Sequence, residues 1–222
     1  METSWGSTLA ELIPLALVVA LSPLSIIPAV LVLHTARPRP TGLAFLAGWL
    51  VGLAGLTSLF IGISGLLGGM TSQPPSWASW LRIGIGAALI VFGVFRWVTR
   101  HSKPHQMPGT RHLTEATPAK ALIIGAALTV LNPKVLFICA AAGLAIGTSG
   151  VGAGVWAAEA VYVVLAASTV ALPILAYSVS GTKLDPTLVK VKAWMEKHNA
   201  ALVAAILVVI GLLVLYKGIH GL

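Results

Sequence analysis

Charge is scarce in this sequence. Asp, Glu, Lys and Arg make up 9% of its 222 residues, against about 25% in a soluble globular chain, whose surface must face water. A shortage of that size excludes a soluble domain. Cysteine is scarcer still: Cys139 stands alone inside an apolar run, which excludes a disulfide framework and a paired-thiol relay within the chain. Ahead of the first apolar run there is Glu2 and no Lys or Arg. Without a basic n-region, that run is expected to remain as a span and not to be a cleaved signal. Also missing are a Ser-His-Asp order, a paired carboxylate site and a phosphate-binding glycine loop. The chain is therefore not expected to be an enzyme, and no cofactor is implied.

What is present is apolar length. Hydrophobic residues make up 57%. Runs of about 20 residues, the length that crosses a hydrocarbon core of about 30 Å, fall near 11–34, 41–67, 77–99, 120–147, 151–178 and 199–219. Stop signals separate them: Arg37-Pro38-Arg39-Pro40, Gln73-Pro74-Pro75, the polar stretch Arg100 to Lys120, Gly150 with Gly152, and Gly181 to Asn199. The expected fold class is an all-α integral membrane protein with six transmembrane helices, forming one domain over 1–222.

The net charge of +8 marks orientation and not nucleic-acid binding. Of fourteen Lys and Arg, eleven (Arg37, Arg39, Arg96, Arg100, Lys103, Arg111, Lys120, Lys183, Lys190, Lys192 and Lys197) fall in or beside loops 1–2, 3–4 and 5–6. Only Arg82 and Lys217 lie toward the other side. The asymmetry places those three loops in the cytoplasm and both termini outside. Within 183–197, Leu184, Leu188, Val191, Trp194 and Met195 recur at helical spacing among lysines, the pattern of an amphipathic helix on anionic headgroups; a solvated linker helix is the plainer reading.

Shifting the chain by 110 residues lays Leu21-Ser22-Pro23-Leu24 on Leu131-Asn132-Pro133-Lys134, Gly42 on Gly152, Ala44 on Gly154 and Gly48 on Ala158. Repeat A then covers about 11–99, a cytoplasmic loop about 100–119, and repeat B about 120–222. Each half has three spans, an odd number, so equivalent helices enter from opposite faces; if the halves share a fold they are inverted repeats, as in many secondary transporters, the plainer reading being coincidence among Ala-, Leu-, Gly- and Val-rich segments.

Some residues inside the spans are costly there. Pro23 and Pro133 lack the amide hydrogen that continues a helix, and the freed carbonyls find no partner in lipid. Ser22 and Asn132, just before them, are short polar groups able to bond local backbone. Matched interrupted helices point to a central site, whereas Pro14, Pro28 and Pro173 read as packing kinks. Two charges lie well inside spans, Lys134 and Glu159, and both should face protein or water. Counted along their helices they reach similar depths, so a Lys134–Glu159 pair is allowed. It is then either a neutralised clamp between helices, or a site where Lys134 attracts an anionic group and Glu159 exchanges partner or proton. Ala44, Gly48 and Gly52 form a small-residue stripe, with Gly154 and Ala158 its counterpart, suited to close helix packing. His101, His105 and His112 sit among Pro, Gly, Lys and Arg with only Glu115 nearby, which fits a solvated loop better than a metal site.

The run Ala20 to Ile27, the Arg37–Pro40 loop, Gly42 to Trp49, and Leu131-Asn132-Pro133-Lys134 followed by Ala140 to Ile146 resemble the glycolipid- and sulfolipid-addressing (GAP/Sap) family of actinobacteria, within the lysine-exporter superfamily. The resemblance implies a six-helix exporter of two inverted repeats that moves cell-envelope lipids or glycolipids outward. A thiol-relay branch of the superfamily carries cysteines beside the prolines. Here Ser22, Leu24, Asn132 and Lys134 stand there, which disfavours that function. A lysine in the central motif also suits an anionic or amphiphilic cargo better than a cation. The expected partners are a lipid or glycolipid cargo and membrane lipids, with a homo-oligomer or envelope-assembly partners left open. The site is expected at Ser22, Pro23, Asn132, Pro133, Lys134 and Glu159. Export of a small solute such as an amino acid, and a non-transporting scaffold for a lipid-export complex, are the other readings.

Overall fold

The structure is a computed structural model that describes residues 5–67, 116–149 and 151–181, together with single helical positions between 87 and 98 and between 186 and 219. Its contacts divide into two units: Met1–Gly69 with Met107–Lys192, and Met70–Gln106 with Ala193–Leu222. The six α-helices described in full lie in the first unit: α1 (Trp5–Ala20), α2 (Pro23–Leu31), α3 (Pro38–Leu67), α4 (Pro118–Leu131), α5 (Pro133–Thr148) and α6 (Val155–Ser180). In the second unit, Ala87, Ile90, Val91, Val94, Phe95, Trp97 and Val98, and several positions from Ala193 to Ile219, are helical.

The prolines explain the boundaries. Pro38 opens α3, and Pro40 follows within its first turn, where the amide hydrogens have no intrahelical acceptor in any case. Helix therefore begins inside the Arg37–Pro40 segment that reads as a break in the sequence. Pro118 opens α4 behind the Thr117 cap, whose Oγ1 accepts from the Lys120 N–H at 3.4 Å. Pro14, Pro28 and Pro173 lie inside α1, α2 and α6 without ending them. Gly181 closes α6 at φ 60°, where its N–H donates to the Tyr177 carbonyl; only glycine adopts that backbone without strain.

Two helices, Pro38–Gly65 and Gly152–Ser180, are long and apolar enough to cross a membrane. Only 39% of each apolar window is buried, so most of its surface is apolar and outward-facing. Val51, Leu59, Trp156, Val164, Leu172 and Val179 are exposed there, a pattern that water would penalise and lipid accepts. Two further pairs are bent, Thr8–Ala20 with Ser25–His34 by 49° and Pro118–Leu131 with Pro133–Thr148 by 72°. At about 1.5 Å per residue these pairs reach about 31 and about 36 Å end to end, enough for a core of about 30 Å if each is one span. The described part is thus a helical membrane protein with two to four candidate spans. Most of the runs at 77–99, 183–197 and 199–219, and the loop histidines, lie outside the described residues.

Close contacts fix the helix directions. On α3, the Gly48 position meets the main chain of Leu122 and Gly52 meets Thr129, while Gly143 meets Thr57 and Phe60, and Gly147 meets Ser64. Residue numbers rise together, so α4 and then α5 climb α3 in its own direction. Against α6 the order reverses: Gly42 lies on Ile174, and Ser58 bonds Glu159. Trp5 covers Gly154, and Thr169 bonds the Ala20 carbonyl, so α1 runs parallel to α6 and antiparallel to α3.

Candidate functional site

Both helix breaks fall where the sequence places them. Ser22 (φ −76°, ψ 118°) and Asn132 (φ −84°, ψ 105°) are extended, and helix restarts at Pro23 and Pro133. The two junctions then differ. Asn132, 7% exposed, turns its Oδ1 onto the Lys134 N–H at 3.1 Å and caps α5, satisfying one of the donors a helix start leaves open. Ser22 is buried but makes no such side-chain bond. At its junction the freed carbonyl of Ala20 accepts from Thr169 on α6, a bond that only the tertiary fold supplies. Pro133 is exposed and Lys134 half-buried at the start of α5.

Glu159 is 6% exposed on α6, and its Oε1 accepts from Ser58 Oγ of α3 at 2.7 Å. Among the described residues no ion pair joins it to Lys134. Glu159 takes a hydroxyl as partner, so the neutralised clamp that equal depths permit is not formed. Around this bond gather groups with no charge to flag them. Tyr162, one turn along α6 from Glu159, meets Cys139 of α5 with OH and Sγ 3.5 Å apart, both fully buried. Thr57, beside Ser58, is fully buried, with its hydroxyl toward the Cys139 thiol. The Thr57 carbonyl lies 2.6 Å from where a Cβ on Gly143 would stand, which brings α3 and α5 together at the level of the cluster.

The structure therefore joins Asn132 to Lys134 through a cap, and Glu159 to a polar cluster between α3, α5 and α6. Among the described residues no side-chain hydrogen bond links the Ser22 and Asn132 junctions. Thr57, Ser58, Cys139 and Tyr162 escape a search for intramembrane charges alone. The adjacent hydroxyls Thr57-Ser58 inside an apolar helix carried a signal, because hydroxyls also need partners in lipid. Among the described residues no group of three His, Cys, Asp or Glu gathers to hold a metal.

Apolar-surfaced helices, two of them interrupted at prolines, around a buried carboxylate define a polytopic membrane protein with a polar interior cluster. The chain belongs to the Sap, sulfolipid-1-addressing protein family, whose model matches residues 12–220. Among curated proteins and among solved structures nothing matches the chain. The family is one of lipid addressing and not a known enzyme class.

Proposed function

We propose that this protein exports or flips a cell-envelope lipid or glycolipid across the bacterial plasma membrane, as six spans in two inverted three-helix repeats. The observation that carries the lipid reading is the family match over nearly the whole chain. Helix directions support the architecture. Because α3 and α4–α5 run the same way, an odd number of crossings must lie between them if each spans. Because α1 opposes α4, and α3 opposes α6, the halves run in opposite senses, which is the relation of inverted repeats.

The starts of α3 and α4 and the end of α6 lie at one end of the unit, where Arg37, Arg39 and Lys120 are exposed. The positive-inside rule makes that end cytoplasmic and puts both termini outside. Lys190 and Trp194 are helical and exposed, in keeping with an interfacial helix over 183–197. In this reading the broken backbone at Ser22-Pro23 and Asn132-Pro133 and the charge of Lys134 receive an anionic part of the head. Glu159 exchanges Ser58 for cargo, and the acyl chains stay in lipid against the apolar flanks.

The test compares envelope lipids of a deletion strain with strains restored by wild type, Lys134→Ala or Glu159→Gln at matched expression. The expected result is one lipid class lost from the outer surface and held inside, restored by wild type alone. Unchanged surface lipids in the deletion strain would refute the lipid reading and turn the search to small-solute efflux. Full restoration by both variants would favour a scaffold.

A further inference from the structure

Two kinds of helix contact meet in this bundle. α3, α4 and α5 interlock through glycines pressed on main chain: Gly48 on the Leu122 carbonyl, Gly125 on Phe45 and Trp49, and Gly143 on the Thr57 carbonyl and the Ile61 amide. Such contacts leave no room for a side chain to swing and form one block. α6 meets that block through side chains instead: Ile174 at Gly42, Glu159 at Ser58, and Tyr162 at Cys139. On another flank α6 is tied to α1, by Thr169 on the Ala20 carbonyl and by Trp5 over Gly154.

The polar groups collect on the α6 seam. Ser58 and Cys139 face it from the block, with Thr57 beside Cys139, and Glu159 and Tyr162 face it from α6. Lipid supplies no hydrogen bonds at this depth, and among the described residues the fully buried Thr57 and Tyr162 hydroxyls share one thiol, Cys139, a weak acceptor. A carboxylate beside two hydroxyls and a phenol is chemically suited to a hydroxyl-bearing head. The carboxylate accepts from the hydroxyls of the head, and Thr57 and Tyr162 both donate and accept.

We infer that the seam between α6 and the α3–α4–α5 block, which cuts across both sequence halves, is the path of the cargo's polar head, with Thr57, Ser58 and Tyr162 receiving it beside Glu159. This rests on the transport reading above. Opening the seam breaks the Ser58–Glu159 and Cys139–Tyr162 contacts and leaves the glycine-packed main chain intact. It also uncovers Cys139, the one cysteine of the chain, which thereby reports on the opening.

The experiment follows modification of Cys139 by a small charged methanethiosulfonate in native membranes, using full-length wild type, Ser58→Ala and Thr169→Val. The charged reagent reaches the thiol only along a wetted path. The expected result is a measurable native-state rate in wild type. Ser58→Ala should raise it about 12- to 160-fold, the change in open population when one hydrogen bond to a carboxylate is lost, and Thr169→Val should leave it at the wild-type value. Three results overturn the inference: no reaction in wild type before denaturation, no change in folded Ser58→Ala, or equal acceleration by Thr169→Val. If Ser58→Ala does not fold, the wild-type and Thr169→Val rates decide. Thiol reactivity does not depend on knowing the cargo, so this inference and the lipid reading can fail separately.

Discussion

Replacing Gly48 by alanine adds one methyl group to α3 at the tightest part of its contact with α4. The new Cβ would stand 2.8 Å from the Leu122 carbonyl carbon and 3.0 Å from its Cα, and would overlap the carbonyl oxygen. All three are main-chain atoms, so no rotamer change relieves the clash. α4 must retreat by about 1 Å to restore carbon contacts of about 3.5–4.0 Å. Overpacking of this kind costs about 1–3 kcal/mol, which for a chain of this length lowers an unfolding midpoint by about 2–12 °C. Gly55, seven residues further along the same helix, provides the control. Nothing lies within 4 Å of its hypothetical Cβ, so Gly55→Ala should leave the midpoint unchanged or raise it by up to about 4 °C through better helix propensity. The assay is thermal unfolding of each purified variant in one detergent, followed by the fraction eluting as a monodisperse peak. A Gly48→Ala midpoint equal to wild type, or an equal loss in Gly55→Ala, would refute the assignment of the α3–α4 interface to glycine packing.

Other substitutions probe the polar groups. Asn132→Ala should cost about 1 kcal/mol through loss of the α5 cap, and Asn132→Ser should recover most of it, read as unfolding midpoints. Thr169→Val strands the Ala20 carbonyl in the bundle and should destabilise by about 1–3 kcal/mol; a neutral result would place water or another donor there. Glu159→Gln keeps an acceptor for Ser58 and should fold like wild type while failing to restore surface lipid. Glu159→Leu removes that acceptor as well and should also lower the midpoint, and equal midpoints for the two would discount the Ser58 bond.

The sequence told more about breaks than about pairings. Helix interruptions at Ser22-Pro23 and Asn132-Pro133 were legible because proline removes a donor wherever it falls, and α3 and α6 because apolar length has few other uses. Helix starts three residues ahead of the apolar run near 41–67, at Pro38, since proline ends a helix from inside but opens one at its first turn. The small-residue stripe was also legible, in that Gly48 and Gly52 do meet α4, though the sequence did not name the partner helix. Glu159 stood out by its charge, yet its partner did not. Lys134 was the obvious candidate by charge and depth, but depth says nothing about which face of a helix a residue occupies. The hydroxyl of Ser58, 101 positions away in the chain, is found only when α3 and α6 are laid antiparallel.

The pairing of α1 with α6 has a consequence for biosynthesis. Trp5 covers Gly154, and the Ala20 carbonyl waits for Thr169, so each contact joins residues 149 positions apart. At about 5–20 residues per second, the first helix leaves the ribosome about 7–30 s before its partner. Through that interval the broken end of α1 has neither a helical successor amide nor the threonine that later serves it. A nascent chain kept in contact with water through that interval avoids the cost of an unpaired carbonyl, whereas one released early into lipid bears it. Slowing translation between codons 20 and 169 should lengthen that exposure, and membrane quality-control proteases would then remove the chain before its fifth apolar segment arrives.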